Sequence, residues 1–185
     1  MAIVTERTSS QPIDPLSRVL IIFASFFVVA ALTLSIAGTA TQFWFYDQSA
    51  DGSTLHYNFF TQCVGNLLNG TSNCIDMQRS TALGLGTQHA AGLLITALCL
   101  LGLGMIITLI MNFIRFSGII GFVAPILLFL AALFMVAAFA EGSRVTTYNA
   151  YSANLTQTGH LLTILSTGLV AFISGRLHVR YYSEL

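Results

Sequence analysis

Two cysteines, Cys63 and Cys74, carry the clearest chemistry in this chain. They stand in a polar, aromatic-rich stretch that runs from Trp44 to Cys74. If that stretch faces an oxidising extracellular space, the pair is expected to form a disulfide rather than remain two free thiols. Closing so short a loop stabilises it by about 3 kcal/mol in the chain-entropy description. The third cysteine, Cys99, sits within a long apolar run and reads as a small buried apolar residue. His56, His89 and His160 follow no spacing typical of a metal-ligand set, so no metal is expected. The sequence offers no paired carboxylates, no Ser-His-Asp arrangement and no Cys-x-x-Cys. Glu141 and Arg144 are at helical spacing, and a surface ion pair of little energetic weight is the better reading. A non-enzymatic protein without a cofactor is therefore expected. Two sequons, Asn69-Gly-Thr and Asn154-Leu-Thr, are candidate glycosylation sites. Ser183-Glu184-Leu185 at the end of the chain has the form of a weak PDZ ligand, with a plain solvated tail as the alternative.

The elements that must position these residues are set by composition. Of 185 residues, 55% are hydrophobic and 8% charged, against about a quarter charged in soluble domains. Such a chain cannot coat a water-facing surface and reads as an integral membrane protein, with the lipid bilayer as its first partner. Seven arginines, no lysine and seven acids leave no basic tract, so nucleic acid is not an expected partner. The polar first 18 residues, with Pro12 and Pro15, lack the apolar core of a cleavable signal peptide.

Val19 to Gly38 is free of charge over twenty residues, which matches a hydrocarbon core of roughly 30 Å. Spans are predicted at about 19–38, 90–111, 118–140 and 158–175, with outer loops 41–88 and 141–157 and tails 1–17 and 176–185. The fourth apolar run, Leu161 to Gly175, is short and spans only if its helix begins earlier, near Tyr151 or Leu155. No ionisable residue is expected inside a span, which argues against a pump, transporter or intramembrane protease. Pro125 is expected to bend the third helix, and Ala124, Ala131 and Ala138 share a face where another helix can approach. In the long loop, Gln42–Tyr46 and Leu55–Phe60 flank the turn signal Asp51-Gly52-Ser53 and read as short antiparallel strands. The expected fold is an all-α membrane four-helix bundle carrying a small extracellular antiparallel β-sheet.

Orientation follows from two patterns. Arg7, Arg18, Arg115, Arg176 and Arg180 fall on one side, Arg79 and Arg144 on the other. The positive-inside rule then places both termini in the cytoplasm of a multi-pass plasma-membrane protein. Both sequons land on the opposite side.

This layout resembles the superfamily of claudins, epithelial membrane proteins, peripheral myelin proteins and calcium-channel gamma subunits. The resemblance rests on Trp44, then Asn58-Phe59-Phe60-Thr61-Gln62-Cys63, then Cys74. Phe60 stands where that group carries a second tryptophan, which marks the chain as a divergent member. The resemblance implies an outer sheet built from both extracellular segments. It implies a junction or adhesion protein that contacts copies of itself or another membrane protein through a disulfide-pinned loop. The alternative is an auxiliary subunit that modulates trafficking or gating of a channel or receptor. Asp47, Asp51 and Asp76 against Arg79 make the loop mildly acidic.

Overall fold

The computed structural model describes residues 15–76, 88–114, 118–143 and 148–183. Four helices and four strands follow in the order α1 (Pro15–Ala40), β1 (Phe45–Gln48), β2 (Ser53–Tyr57), β3 (Thr61–Asn66), β4 (Thr71–Asp76), α2 (Gln88–Ile110), α3 (Val123–Ser143) and α4 (Tyr151–Ser183). All four helices are long and apolar enough to cross a membrane. At 1.5 Å per residue, α1 and α4, with 26 and 33 residues, are about 39 and 50 Å long, well beyond the hydrocarbon thickness.

The bundle is held by one pattern repeated four times. In α1 the buried positions include Ser17, Ile21, Ala24, Val28, Ala31, Ser35 and Gly38. In α2 they include Ala90, Leu94, Ala97, Leu101, Gly104 and Thr108. In α3 they include Ala124, Leu128, Ala131, Met135, Ala138 and Gly142. In α4 they include Ser152, Thr156, Gly159, Thr163, Ser166, Val170 and Ile173. Each series steps by three and four residues, the heptad spacing of left-handed packing. One half of every heptad is Gly, Ala or Ser over most of its length, so neighbouring backbones come close. The large apolar side chains, such as Phe23, Phe26, Leu103, Phe129 and Phe172, point outward instead. α1 packs chiefly on α4 and α2 chiefly on α3, and the two pairs meet through α3–α4 and α1–α2.

Several hydroxyls within the helices satisfy themselves locally, while Ser17 Oγ and Ser35 Oγ of α1 are buried with no hydrogen-bond partner among the described residues. Thr108 Oγ1 donates to Gly104 O at 2.7 Å, Thr163 Oγ1 to Gly159 O at 2.9 Å, and Thr96 Oγ1 to Gly92 O at 2.9 Å. This i→i−4 bonding is how hydroxyls are carried through hydrocarbon without orphan donors. Between elements, Ser174 Oγ donates to Gly121 O at 2.7 Å, and Asn112 Nδ2 to Ser25 Oγ at 2.8 Å.

Several expectations are corrected. Pro125 does not bend the interior of a helix. A 3-10 turn over Gly118–Phe122 precedes α3, so Pro125 lies in the first turn of the α-helix, where its missing N–H breaks no intrahelical bond. Cys99 is exposed on the outer face of α2 rather than buried, because it falls off that helix's heptad. The fourth helix starts at Tyr151, the earlier of the two starts the sequence allowed, so Asn154 stands in its first turns rather than in a loop and His160 lies nine residues in, about 14 Å along the axis. An ionisable side chain therefore does sit within a span-length helix, its ring against Phe139 at 5.7 Å. Arg7, Arg79, Arg115, Arg144, Glu184 and Leu185 lie outside the described residues.

The sheet is antiparallel in the order β1-β2-β3-β4. The first hairpin is present as expected but shifted, with β1 starting three residues after Gln42 and β2 covering Ser53–Tyr57 rather than Leu55–Phe60. Its turn is fixed by Asp51 Oδ1, which accepts from Ser53 N at 3.0 Å and Ser53 Oγ at 2.7 Å, and by Gly52 at φ 80°. The second hairpin, β3–β4, was not anticipated. Phe59 and Phe60 leave the strand because Asn58 caps a tight turn there.

Candidate functional site

The site is the sheet together with the plug that seats it on the bundle. Trp44 is the plug, 1% exposed. Its Nε1 donates to Gly38 O, near the end of α1, at 2.7 Å. This partner satisfies the one polar atom of a side chain that is otherwise buried apolar surface. Its backbone N–H donates to Tyr57 O at 3.2 Å, and its carbonyl accepts from Ala150 N at 3.3 Å. Around the indole lie Phe59 at 4.6 Å, Tyr148 at 5.5 Å edge-on and Phe139 at 6.3 Å between centroids. Tyr148 donates its hydroxyl to Phe139 O at 3.0 Å, and burial pushes its phenol pKa up to about 12.

Asn58 explains its place in the loop signature. It is 3% exposed. Its Oδ1 accepts from Phe60 N and Thr61 N, both at 2.7 Å, and its Nδ2 donates to Thr41 O at 3.2 Å. One amide thus turns the chain from β2 into β3 and ties that turn to the exit of α1. Phe59 is buried in the aromatic cluster and Phe60 is only partly buried beside it.

The connection between α3 and α4 closes the other edge. The Asn149 side chain accepts from Tyr46 N at 2.9 Å through Oδ1 and donates to Tyr46 O at 2.8 Å through Nδ2. This pair of bonds imitates one rung of a β-ladder. Ser152 N donates to Phe43 O at 3.1 Å, and Thr41 Oγ1 donates to Ser152 Oγ at 2.7 Å. The sheet itself is drawn from the first of the two linking segments alone, since all four strands lie between Phe45 and Asp76. Among the described residues the α3–α4 segment adds no strand and docks on β1 through these bonds, so the sheet built from both segments that the resemblance implied is not what is found. Asn149 carries no signal in the sequence because its partners are backbone atoms a hundred residues away, and Tyr148 carries none because the ring it packs against, Trp44, is equally distant.

Cys63 and Cys74 are directly opposed on β3 and β4 and form the expected disulfide. His56 on β2 opposes Cys63 in the same row, and its ring stacks on Phe43 at 4.7 Å and 10°. An imidazole nitrogen of His56 and the two sulfurs lie within 4.8 Å of one another. Gln42 Oε1 is 3.1 Å from Cys63 Sγ and 3.7 Å from Cys74 Sγ. The sequence spacing of His56 does not suggest this grouping; only the register of the sheet creates it.

Desolvation lowers the pKa of His56 below its ordinary 6.5. The unfolded chain then binds more protons than the folded one below about pH 6.5, so stability falls as pH drops through that value and toward the folded pKa. The thermal midpoint in detergent is expected to decrease between pH 7 and pH 5, and His56→Gln to flatten that slope.

The far end of the sheet is different in character. Leu67 and Leu68 stand in the β3–β4 turn at 60% and 80% exposure; Val64 is exposed midway along β3, and Ile75 is exposed opposite Gln62, nearer the clamped end. Asn69 lies in the same turn, exposed, and Gly70 adopts φ 61°. Asn154 is also exposed, but Thr156 of its sequon is fully buried against α1. Asp47 and Asp51 are exposed, and hydrogen bonds from Ser53 lower the pKa of Asp51. No protein-family model matches this chain, and a search of curated proteins returns no match.

Proposed function

We propose that this multi-pass membrane protein is a non-enzymatic, claudin-like adhesion or junction protein of the plasma membrane, with both termini cytoplasmic and the sheet outside. The observation that carries the reading is a recognition surface separated from its anchor. The sheet is clamped at one end by Trp44, Asn58 and Asn149, and presents Leu67 and Leu68 to solvent at the other, with Val64 exposed midway along β3. Apolar side chains clustered on an exposed turn are a feature of surfaces that meet a partner. A glycan on Asn69 would project from that same turn. Asn154 is disfavoured as an acceptor because its sequon is folded into α4 against α1.

Expression in non-adherent cells tests this. Cells carrying the wild type are expected to cluster, and cells carrying Leu67→Asp with Leu68→Asp at equal surface density are expected to remain single. If wild-type cells stay dispersed while crosslinking in native membrane recovers a channel or receptor, the auxiliary-subunit reading replaces this one. Ser183 belongs to α4, and the PDZ reading of Ser183-Glu184-Leu185 would give either role a cytoplasmic scaffold.

A further inference from the structure

We propose that the dithiol form of this protein binds a single zinc-class divalent cation in the sheet, through Cys63 Sγ, Cys74 Sγ and His56, with Gln42 Oε1 as the fourth donor. Three neighbouring strands each place one ligand in a single row, His56 opposite Cys63 and Cys63 opposite Cys74. A ladder row is a rigid support, since each position is fixed by backbone bonds on both sides. The three ligand atoms already lie within 4.8 Å of one another. Around tetrahedral zinc, donors stand about 3.5–4 Å apart, so small side-chain rotations suffice.

Three further features point to a ligand. His56 Nδ1 is buried with no hydrogen-bond partner among the described residues, an arrangement that costs free energy unless something occupies it. The stacked Phe43 ring holds the imidazole plane in place. Gln42 aims its carbonyl oxygen at both sulfurs, 3.1 and 3.7 Å away. Two thiolates, an imidazole and a carbonyl oxygen form a donor set that suits zinc better than calcium or magnesium.

While the disulfide is closed, neither sulfur can serve as a thiolate. Opening it requires two electrons from an external thiol. Cys74 is exposed and Cys63 is fully buried, so the thiolate of the reductant attacks Cys74 Sγ and Cys63 leaves as a thiolate. A second thiol then displaces Cys74, and the reductant departs as its own disulfide. Zinc binding takes both cysteines as thiolates and releases the two protons they would otherwise hold. The same residues thus serve as a covalent pin in an oxidising space and as a metal clip when that pin is opened.

The test uses the full chain in detergent, in a Cys99→Ser background, with and without reduction by a phosphine. Cobalt(II) added to the reduced protein is expected to give a thiolate-to-metal charge-transfer band saturating at one ion per chain, which zinc displaces. The oxidised protein should give none. Outer-shell partners of a metal ligand are worth about 10–100-fold in affinity, so His56→Ala is expected to weaken binding by at least about 100-fold. The emission of Trp44 reports whether each variant remains folded. Should His56→Ala not fold, wild-type footprinting decides: zinc is expected to protect Cys63 and Cys74 from alkylation and His56 from acylation together. Absence of the charge-transfer band in reduced wild type overturns the proposal. Equal affinity in folded His56→Ala, or protection of the cysteines without His56, overturns the three-ligand site.

Discussion

Trp44→Ala is expected to destabilise the folded protein by about 3–5 kcal/mol, the range for removing a fully buried large aromatic side chain. The indole fills the space between the end of α1 and the aromatic group of Phe59, Tyr148 and Phe139. Trp44→Phe separates shape from hydrogen bonding. It keeps a ring but removes the Nε1 donor from Gly38 O, which retains the longer bond from Thr41 Oγ1 at 3.3 Å, a loss of about 0.5–1.5 kcal/mol for one hydrogen bond. Thermal unfolding in detergent should rank wild type above Trp44→Phe and both above Trp44→Ala. Trp44 is also the chain's one tryptophan, so its fluorescence should resist aqueous quenchers until the sheet detaches. Equal midpoints for wild type and Trp44→Ala would mean that the sheet is not seated through this residue.

Gly38→Leu is expected to be damaging as well, by overpacking rather than by a cavity. A Cβ on Gly38 would stand 2.6 Å from Ser152 O and 2.8 Å from Thr156 N, both backbone atoms of α4. Gly159 is its counterpart, where a Cβ would meet Ala31 O at 2.9 Å. Backbone cannot rotate aside, so the helices must separate, at a cost of about 1–3 kcal/mol or more. Gly38 O also receives the Trp44 indole, so the displacement carries into the sheet. Gly92→Leu is the control, because nothing lies within 4 Å of its Cβ position. The monodisperse yield after detergent extraction should fall for Gly38→Leu and Gly159→Leu and hold for Gly92→Leu.

The four span-length helices and the existence of a small sheet between the first two were legible because length, apolar composition and turn residues are one-dimensional signals. The packing was only partly so. Ala124, Ala131 and Ala138 revealed one heptad, while the corresponding repeats in α1, α2 and α4 went unread. In lipid both faces of a helix are apolar, so the buried face is marked by small residues rather than by hydrophobic ones. Cys99 was misassigned for this reason. Cysteine is usually a buried residue in soluble cores, yet here the outward face is the apolar one. The site was legible where residue identity mattered, as with Trp44 and the Cys63–Cys74 bridge. It was illegible where register mattered. His56 joins the sulfurs only because β2 pairs with β3 at that offset, and Asn149 clasps Tyr46 only because α4 begins at Tyr151.

The outward display of large apolar side chains has a calorimetric consequence. Parting two of these helices within hydrocarbon transfers their surfaces from protein to lipid tails, with no new contact between apolar groups and water. The heat-capacity increment of unfolding arises from that contact, so separation of the bundle should contribute little to it. The sheet, with its disulfide and its aromatic base, is where water would enter. Curvature in the stability of this protein with temperature, including any weakening on cooling, therefore belongs to the small sheet rather than to the four long helices.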